Sequence, residues 1–301
     1  QAEDGIRDLV RSRGLGDVYK RQVDTSTTVQ ASQWTALLAK LNIAKSHQDS
    51  TINISSFSVS SGDVIAAIAN VATDIGTVTT NKANVKADGI TANAYTSKTF
   101  TGSWTTNVIY EFKLAFAGGD EARFFFNAGG TITTAVGLSG HTSDDKANEW
   151  KDLLETLTGT FTFDHQTCSI GGNGTANTLT TSKGYYDLTT SYVVHLKMFA
   201  DSSPYTDNFA QLEIKGSAVH GDGRDNHGDV IFFKWTLSDA AADQADAGQA
   251  PQDALDAAVT ALDIVDGNLA FTGNYNQPDA THLGSVPSGS VTYTSLTETQ
   301  A

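Results

Sequence analysis

The hydrophobic period of the chain changes near residue 94. Before that point apolar residues recur every three or four positions; beyond it they alternate with polar ones. Trp34, Leu37, Leu38 and Leu41 predict a short amphipathic helix over 32–45, with Ser32 as its N-cap. Val64, Ile68, Val71, Ile75, Val78 and Val85 follow a heptad spacing over 62–85. Ile68 and Ile75 stand at a and the valines at d, β-branched choices that suit three strands at least as well as two. Gly76 and Thr77-Val78-Thr79-Thr80 are poor helix formers, so the same stretch also reads as an amphipathic helix packed on its own domain.

From 94 onward, short runs rich in aromatic and β-branched residues are bounded by Gly or Asn. Strands are predicted over 96–105, 108–117, 121–127, 131–138, 159–164, 185–188, 191–200, 209–215 and 229–237, and around Leu269-Ala270-Phe271. In 108–117, Val108, Tyr110, Phe112, Leu114 and Phe116 share one parity and Glu111 and Lys113 the other, the pattern of a strand with one wet face. Two helices interrupt this series. One is expected over 143–157, where Ala147, Trp150, Leu153, Leu154 and Leu157 make one face; the other lies in the Ala/Asp-rich stretch 239–262. The Pro/Gly/Ser/Thr-rich 276–301 reads as an edge strand or an extended tail. The fold class expected is mainly β (α+β): an antiparallel β-sandwich or jelly-roll-like body over 94–275, an N-terminal helical attachment region over 23–93, and one or two packed helices.

Composition narrows the functional classes. Asp and Glu total 34 against 19 Lys and Arg, a formal charge of −15, which disfavours tracking nucleic-acid phosphates or anionic lipid. At 39% hydrophobic residues the chain can fill a core. No run approaches the ~18 apolar residues of a membrane helix, so membrane insertion is not expected. One Cys excludes an intramolecular disulfide framework. Asp17-Val18-Tyr19-Lys20-Arg21-Gln22 resembles an in-frame translation of a sequencing-library adapter. Residues 1–22 are therefore expected to be an adapter scar or a disordered arm, outside the fold.

Candidate chemistry is sparse. Neither Gly171-Gly172-Asn173-Gly174 nor Gly221-Asp222-Gly223 completes a dinucleotide-binding loop. Ser139 in Gly137-Leu138-Ser139-Gly140-His141 has His where a nucleophile elbow needs Gly. The densest donor set is the loop 220–229, in which His220, Asp222, Asp225, His227 and Asp229 could ligate calcium or a transition metal. The loop lacks the EF-hand Gly and Glu, and the same residues equally suit a solvated hairpin turn. Tyr185-Tyr186 and Trp104 could stack on sugars or lie in the core.

One segment is distinctive: Glu121-Ala122-Arg123-Phe124-Phe125-Phe126-Asn127-Ala128-Gly129-Gly130-Thr131-Ile132. It resembles a motif of virion structural proteins of tailed bacteriophages, especially marine and cyanophage-like myoviruses. Glu149-Trp150-Lys151-Asp152-Leu153-Leu154, Gly184-Tyr185-Tyr186-Asp187-Leu188-Thr189-Thr190-Ser191-Tyr192, Trp235 to Asp239 and Asp266-Gly267-Asn268-Leu269 follow in the order of that family. The resemblance covers roughly 33–295; the acidic loop 220–229 and the insertion 240–262 depart from it. It implies a non-enzymatic component of the tail, neck or fibre, located in the virion, with no catalytic residues and no resident cofactor beyond a candidate calcium ion. Its implied partners are other virion proteins and further copies of itself, as a trimer or higher homo-oligomer. The alternative is a receptor- or glycan-binding adhesin at a fibre tip, meeting a host-surface glycan through loops 170–184 and 220–229.

Overall fold

A computed structural model of the chain describes residues 31–48, 68–81, 89–95, 98–142, 145–218, 228–240, 264–278 and 291–301. The chain divides into two units, Gln1–Asn84 and Val85–Ala301. Within the Ala/Asp-rich stretch 239–262, where a helix is expected, residues 241–262 lie outside the described residues.

In the first unit the two helices are α1 (Ala31–Gln48) and α2 (Ile68–Thr80). They meet through polar as well as apolar contacts. Leu41 and Val71 are buried, Lys45 Nζ lies 2.6 Å from Asp74 Oδ1, and Gln48 Nε2 donates to the Val78 carbonyl at 2.8 Å. The α2 face is therefore rotated from the heptad reading. Asp74 is buried with Val71, whereas Ile75, assigned to an a position, is 46% exposed.

The second unit is a sandwich of two antiparallel sheets. The first runs β1 (Thr91–Ala94), β11 (Asn268–Gln277), β4 (Thr131–Ser139), β5 (Phe161–Phe163), β6 (Cys168–Ile170), with β2 (Lys98–Phe100) also paired to β11. The second runs β12 (Thr292–Gln300), β3 (Asn107–Ala115), β10 (Val230–Ser238), β9 (Phe209–Gly216), β8 (Val193–Phe199), β7 (Thr178–Leu179). The expected mainly β, sandwich-like body is what forms. Period-two alternation sends Val108, Tyr110, Phe112 and Leu114 of β3 inward, and Ile231, Phe233, Trp235 and Leu237 of β10 beside them. Facing them are Ile132, Val136, Phe161, Phe163 and Phe271 from the first sheet. The Trp235 indole N–H donates to Thr134 Oγ1 at 3.1 Å, one hydrogen bond bridging the two layers. The segment 292–300 is an edge strand, paired to β3 with a bulge between Ser295 and Thr297.

Three predicted elements take other forms. The segment 121–127, expected as a strand from its three phenylalanines, belongs to helix α3 (Gly119–Asn127). Ala122, Phe125 and Phe126 are buried at spacings of three and four, while Asp120 and Glu121 occupy the first turn, where the helix dipole favours anions. The segment 185–188 is no strand either; Tyr185–Asp187 forms a single 3-10 turn closed by Asp187 N–H to Gly184 O at 3.0 Å. The helix expected over 143–157 is α-helical only as α4 (Asp145–Lys151) and continues as a π-helix over Asp152–Thr158. This π-helix packs on β4 of one sheet and on β8 and β9 of the other. Its C-terminal carbonyls are taken up by the glycine-rich loop that follows β6. The amides of Gly172, Asn173 and Gly174 donate to the carbonyls of Thr158, Thr156 and Leu157 at 3.0–3.1 Å.

Candidate contact surface

The alternation that fills the core also sets what the second sheet presents outward. Glu111 of β3 lies opposite Lys234 of β10, which lies opposite Glu213 of β9. One row on, Lys113, Phe232 and Lys215 stand in the same relation. Lys234 Nζ is 2.5 Å from Glu213 Oε2, so the first row is a cross-strand ladder of alternating charge.

Tyr192, just before β8, is the hub of this face. Its hydroxyl donates to Glu111 Oε1, and Glu111 Oε2 accepts from Thr297 Oγ1 of β12 at 3.2 Å. Lys215 Nζ sits 4.2 Å and Lys234 Nζ 4.7 Å from the centre of its ring. Burial, reinforced by the bond to Glu111 and by repulsion from Glu111 and Glu213, holds the Tyr192 phenol far above its usual range. It therefore stays a proton donor at any physiological pH. Lys215 also lies 4.8 Å from the Phe232 ring, and Lys197 lies 3.8 Å from Phe209 and 4.8 Å from Phe199. Each such contact is worth about 0.5–1 kcal/mol at exposed sites. Among the described residues, Lys113, Lys197 and Lys215 have no carboxylate partner. Glu111 and Lys113 were legible as the wet face of a strand. The rest of the surface was not, because its neighbours come from β8, β9 and β10.

Tyr192 also ends one of the segments that carry the phage-family resemblance, and Phe124 of another is exposed, but most of the aromatic residues of those segments lie in the interior. Phe126 stacks on Tyr185 with ring centres 4.4 Å apart and meets Phe125 edge-on at 5.0 Å. The Tyr186 hydroxyl donates to Asn127 Oδ1 at 2.6 Å, and that of Tyr185 donates to the Gly228 carbonyl at 3.1 Å. The Gly130 amide donates to the Phe125 carbonyl at 2.9 Å; a Cβ on Gly130 would stand 2.6 Å from that oxygen. Trp150 packs edge-on against Trp104 at 4.6 Å, so both are core residues. Tyr185 is likewise fully buried, which removes it as a sugar platform. No protein-family model, curated protein or solved structure matches the chain.

Of the sequence-predicted metal loop, His220, Asp222, Asp225 and His227 lie outside the described residues. Asp229 stands at its root. Its Oδ1 accepts from Ser217 Oγ at 3.1 Å and its carbonyl from the Phe116 amide at 2.8 Å, so it ties the β9–β10 connection to β3. Ser139 ends β4 paired with Asn268, and His141 Nδ1 is engaged with the Thr142 carbonyl at 2.7 Å. On the outer face of the first sheet, a groove of about 270 Å³ runs beside the π-helix, floored by Ala135, Gly137, Ala270 and Thr272. Its rim carboxylate is already engaged: Glu155 accepts from the Leu138 amide at 3.1 Å and from Lys151 Nζ at 2.6 Å.

A buried thiol and imidazole complete the inventory. Cys168 Sγ donates to the Thr180 carbonyl at 3.1 Å, and burial pushes its pKa up, which leaves it a neutral, unreactive thiol. His195 is the extra residue of a bulge in β8, between Val194 and Leu196. The bulge breaks the alternation and turns both His195 and Leu196 inward. Burial lowers the His195 pKa below its ordinary 6.5; the Val193 carbonyl at Nδ1 opposes this, Lys183 reinforces it and Asp187 opposes it. Its folded-state pKa thus lies below the unfolded one, so its contribution to stability is complete above pH 6.5 and is lost as pH falls from there toward the folded value. Melting temperature followed from neutral pH downward should fall more steeply for the wild type than for His195→Gln. Parallel curves would show that another group governs the acid limb.

Proposed function

We propose that this chain is a non-enzymatic structural subunit of a tailed-phage virion, from the tail, neck or fibre apparatus, working through contacts between subunits. The observation that carries this reading is the placement of the resemblance motifs. Phe125, Phe126, Asn127, Tyr185 and Tyr186 hold α3 against the 3-10 turn, Trp150 and Trp235 fill the core, and Asp239 anchors α4 through Lys146 at 2.6 Å. In an enzyme, the unusual residues converge on a cleft; here they stabilise a rigid sandwich and leave its broad outer sheet for contact. The groove beside the π-helix has its one carboxylate bridged to Lys151, which fits the same reading. The test is proteomic analysis of purified phage particles encoding this chain. It should appear at a stoichiometry matching a ring, tube or fibre. Recovery only from the soluble lysate, with particles free of it, would refute the assignment.

A further inference from the structure

The outer face of the second sheet carries an imbalance of charge. Among the described residues, Lys113, Lys197, Lys215 and Lys234 stand on it against two carboxylates, Glu111 and Glu213, in a chain of formal charge −15. Lys234 is paired with Glu213, and Glu111 is engaged by Tyr192 and Thr297. Lys113, Lys197 and Lys215 have no carboxylate partner among the described residues. Lys215 and Lys197 are held in place by the rings of Tyr192, Phe232, Phe209 and Phe199. Lys113 and Lys215 flank Phe232 two strand spacings apart, about 10 Å. Lys197 and Lys215, half-buried and already seated on aromatic rings, lose little further entropy on meeting an anion.

We infer that this lysine-studded face is the docking surface for the acidic surface of a second copy of the chain, joined head to tail. The inference rests on the structural-subunit reading and adds the surface and the mode of contact. Charge complementarity selects the partner: each copy carries the excess of carboxylates that the face lacks. Electrostatics also selects the geometry. Two such faces laid against each other across a twofold axis would repel, so the contact joins unlike surfaces. Contacts of that kind close into rings or continue as filaments. A neutral glycan fits less well, because sugars stack on open aromatic faces and Tyr192 already has two ammonium groups over its ring. Nucleic acid is opposed by Glu111 and Glu213, which stand within the patch between its lysines.

The experiment is sedimentation velocity of the full chain at about 0.01 M and about 1 M salt, where the screening length is about 30 Å and about 3 Å. The wild type should self-associate at low salt and dissociate at high salt. The double variant Lys113→Gln/Lys215→Gln should weaken association by about tenfold or more. Lys183→Gln, which neutralises an exposed lysine outside these strands, should leave it unchanged. Circular dichroism identifies a misfolded variant; in that case Lys197→Gln, at the far side of the face, serves in its place with the same expectation. Association that persists in the face variants overturns this inference and leaves the structural-subunit reading standing. A wild type that stays monomeric at every salt concentration overturns both the inference and the self-assembly it rests on. A monomer that instead binds immobilised polygalacturonate, and loses that binding in the face variants, overturns it in favour of an anionic glycan.

Discussion

Asp239→Ala is expected to lower unfolding free energy by about 3–5 kcal/mol, as removal of one partner from a buried ion pair does. Asp239 immediately follows β10, and its Oδ2 lies 2.6 Å from Lys146 Nζ on α4. The two side chains are only 1% and 6% exposed. The Asp239 amide donates to the Thr106 carbonyl at 2.9 Å, so the carboxylate sits where β10 passes the start of β3. Without it, the buried Lys146 ammonium loses this carboxylate, and α4 loses a tie to the second sheet. Chemical denaturation of both proteins at neutral pH measures the difference. Lys146→Met combined with Asp239→Leu should recover most of the loss, because the charge and its cost leave together. A loss below about 1 kcal/mol in the single variant would mean that the pair behaves as a solvent-screened surface bridge, contrary to its burial.

Gly273→Ala is expected to destabilise by about 3 kcal/mol, at the upper end of overpacking effects. Gly273 lies in β11, where the Tyr95 ring crosses the strand. The Tyr95 hydroxyl donates to the Thr133 carbonyl at 2.9 Å, and the ring stacks on Tyr293 of the opposite sheet with centres 5.4 Å apart. A Cβ on Gly273 would stand 1.8 Å from the Tyr95 hydroxyl and 2.2 Å from the Thr133 carbonyl oxygen. The side chain could swing away, but the carbonyl belongs to the adjacent strand β4 and can yield only by breaking the ladder. Tyr95→Phe alone removes one hydrogen bond, worth about 1 kcal/mol. The double variant Tyr95→Phe/Gly273→Ala should therefore recover little of the alanine cost. Substantial rescue would place the obstruction in the hydroxyl and not in the backbone. Thermal melts of the three variants decide between these outcomes.

The resemblance to virion proteins came from motifs whose aromatic residues, Phe124 and Tyr192 apart, are packing residues. A short phrase such as Arg123-Phe124-Phe125-Phe126-Asn127 marks a place where a helix, a turn and a sheet must interlock. The surface that can meet a partner is written in the other parity of the strands, in Glu111, Lys113, Glu213, Lys215 and Lys234. Those residues carry no motif. They form a pattern only once β3, β10 and β9 lie side by side.

The alternation along β3, β4, β9 and β10 by itself determined that this chain makes half-buried strands, and the 3.6-residue spacing determined α1 and α4. Both are local properties, since a strand or helix exposes its faces with a period set by its own backbone. Phe124-Phe125-Phe126 satisfies a strand on propensity, yet it sits in a helix because Phe126 gains Tyr185 and Phe163 as ring partners from distant segments. His195 reads as an ordinary strand residue, but a bulge against β9 turns it inward. The buried Lys146–Asp239 pair, the amides of Gly172–Gly174 on the π-helix and the lysine face all join residues far apart in the chain. Only the tertiary structure decided these, because their energy comes from contacts that no local period encodes.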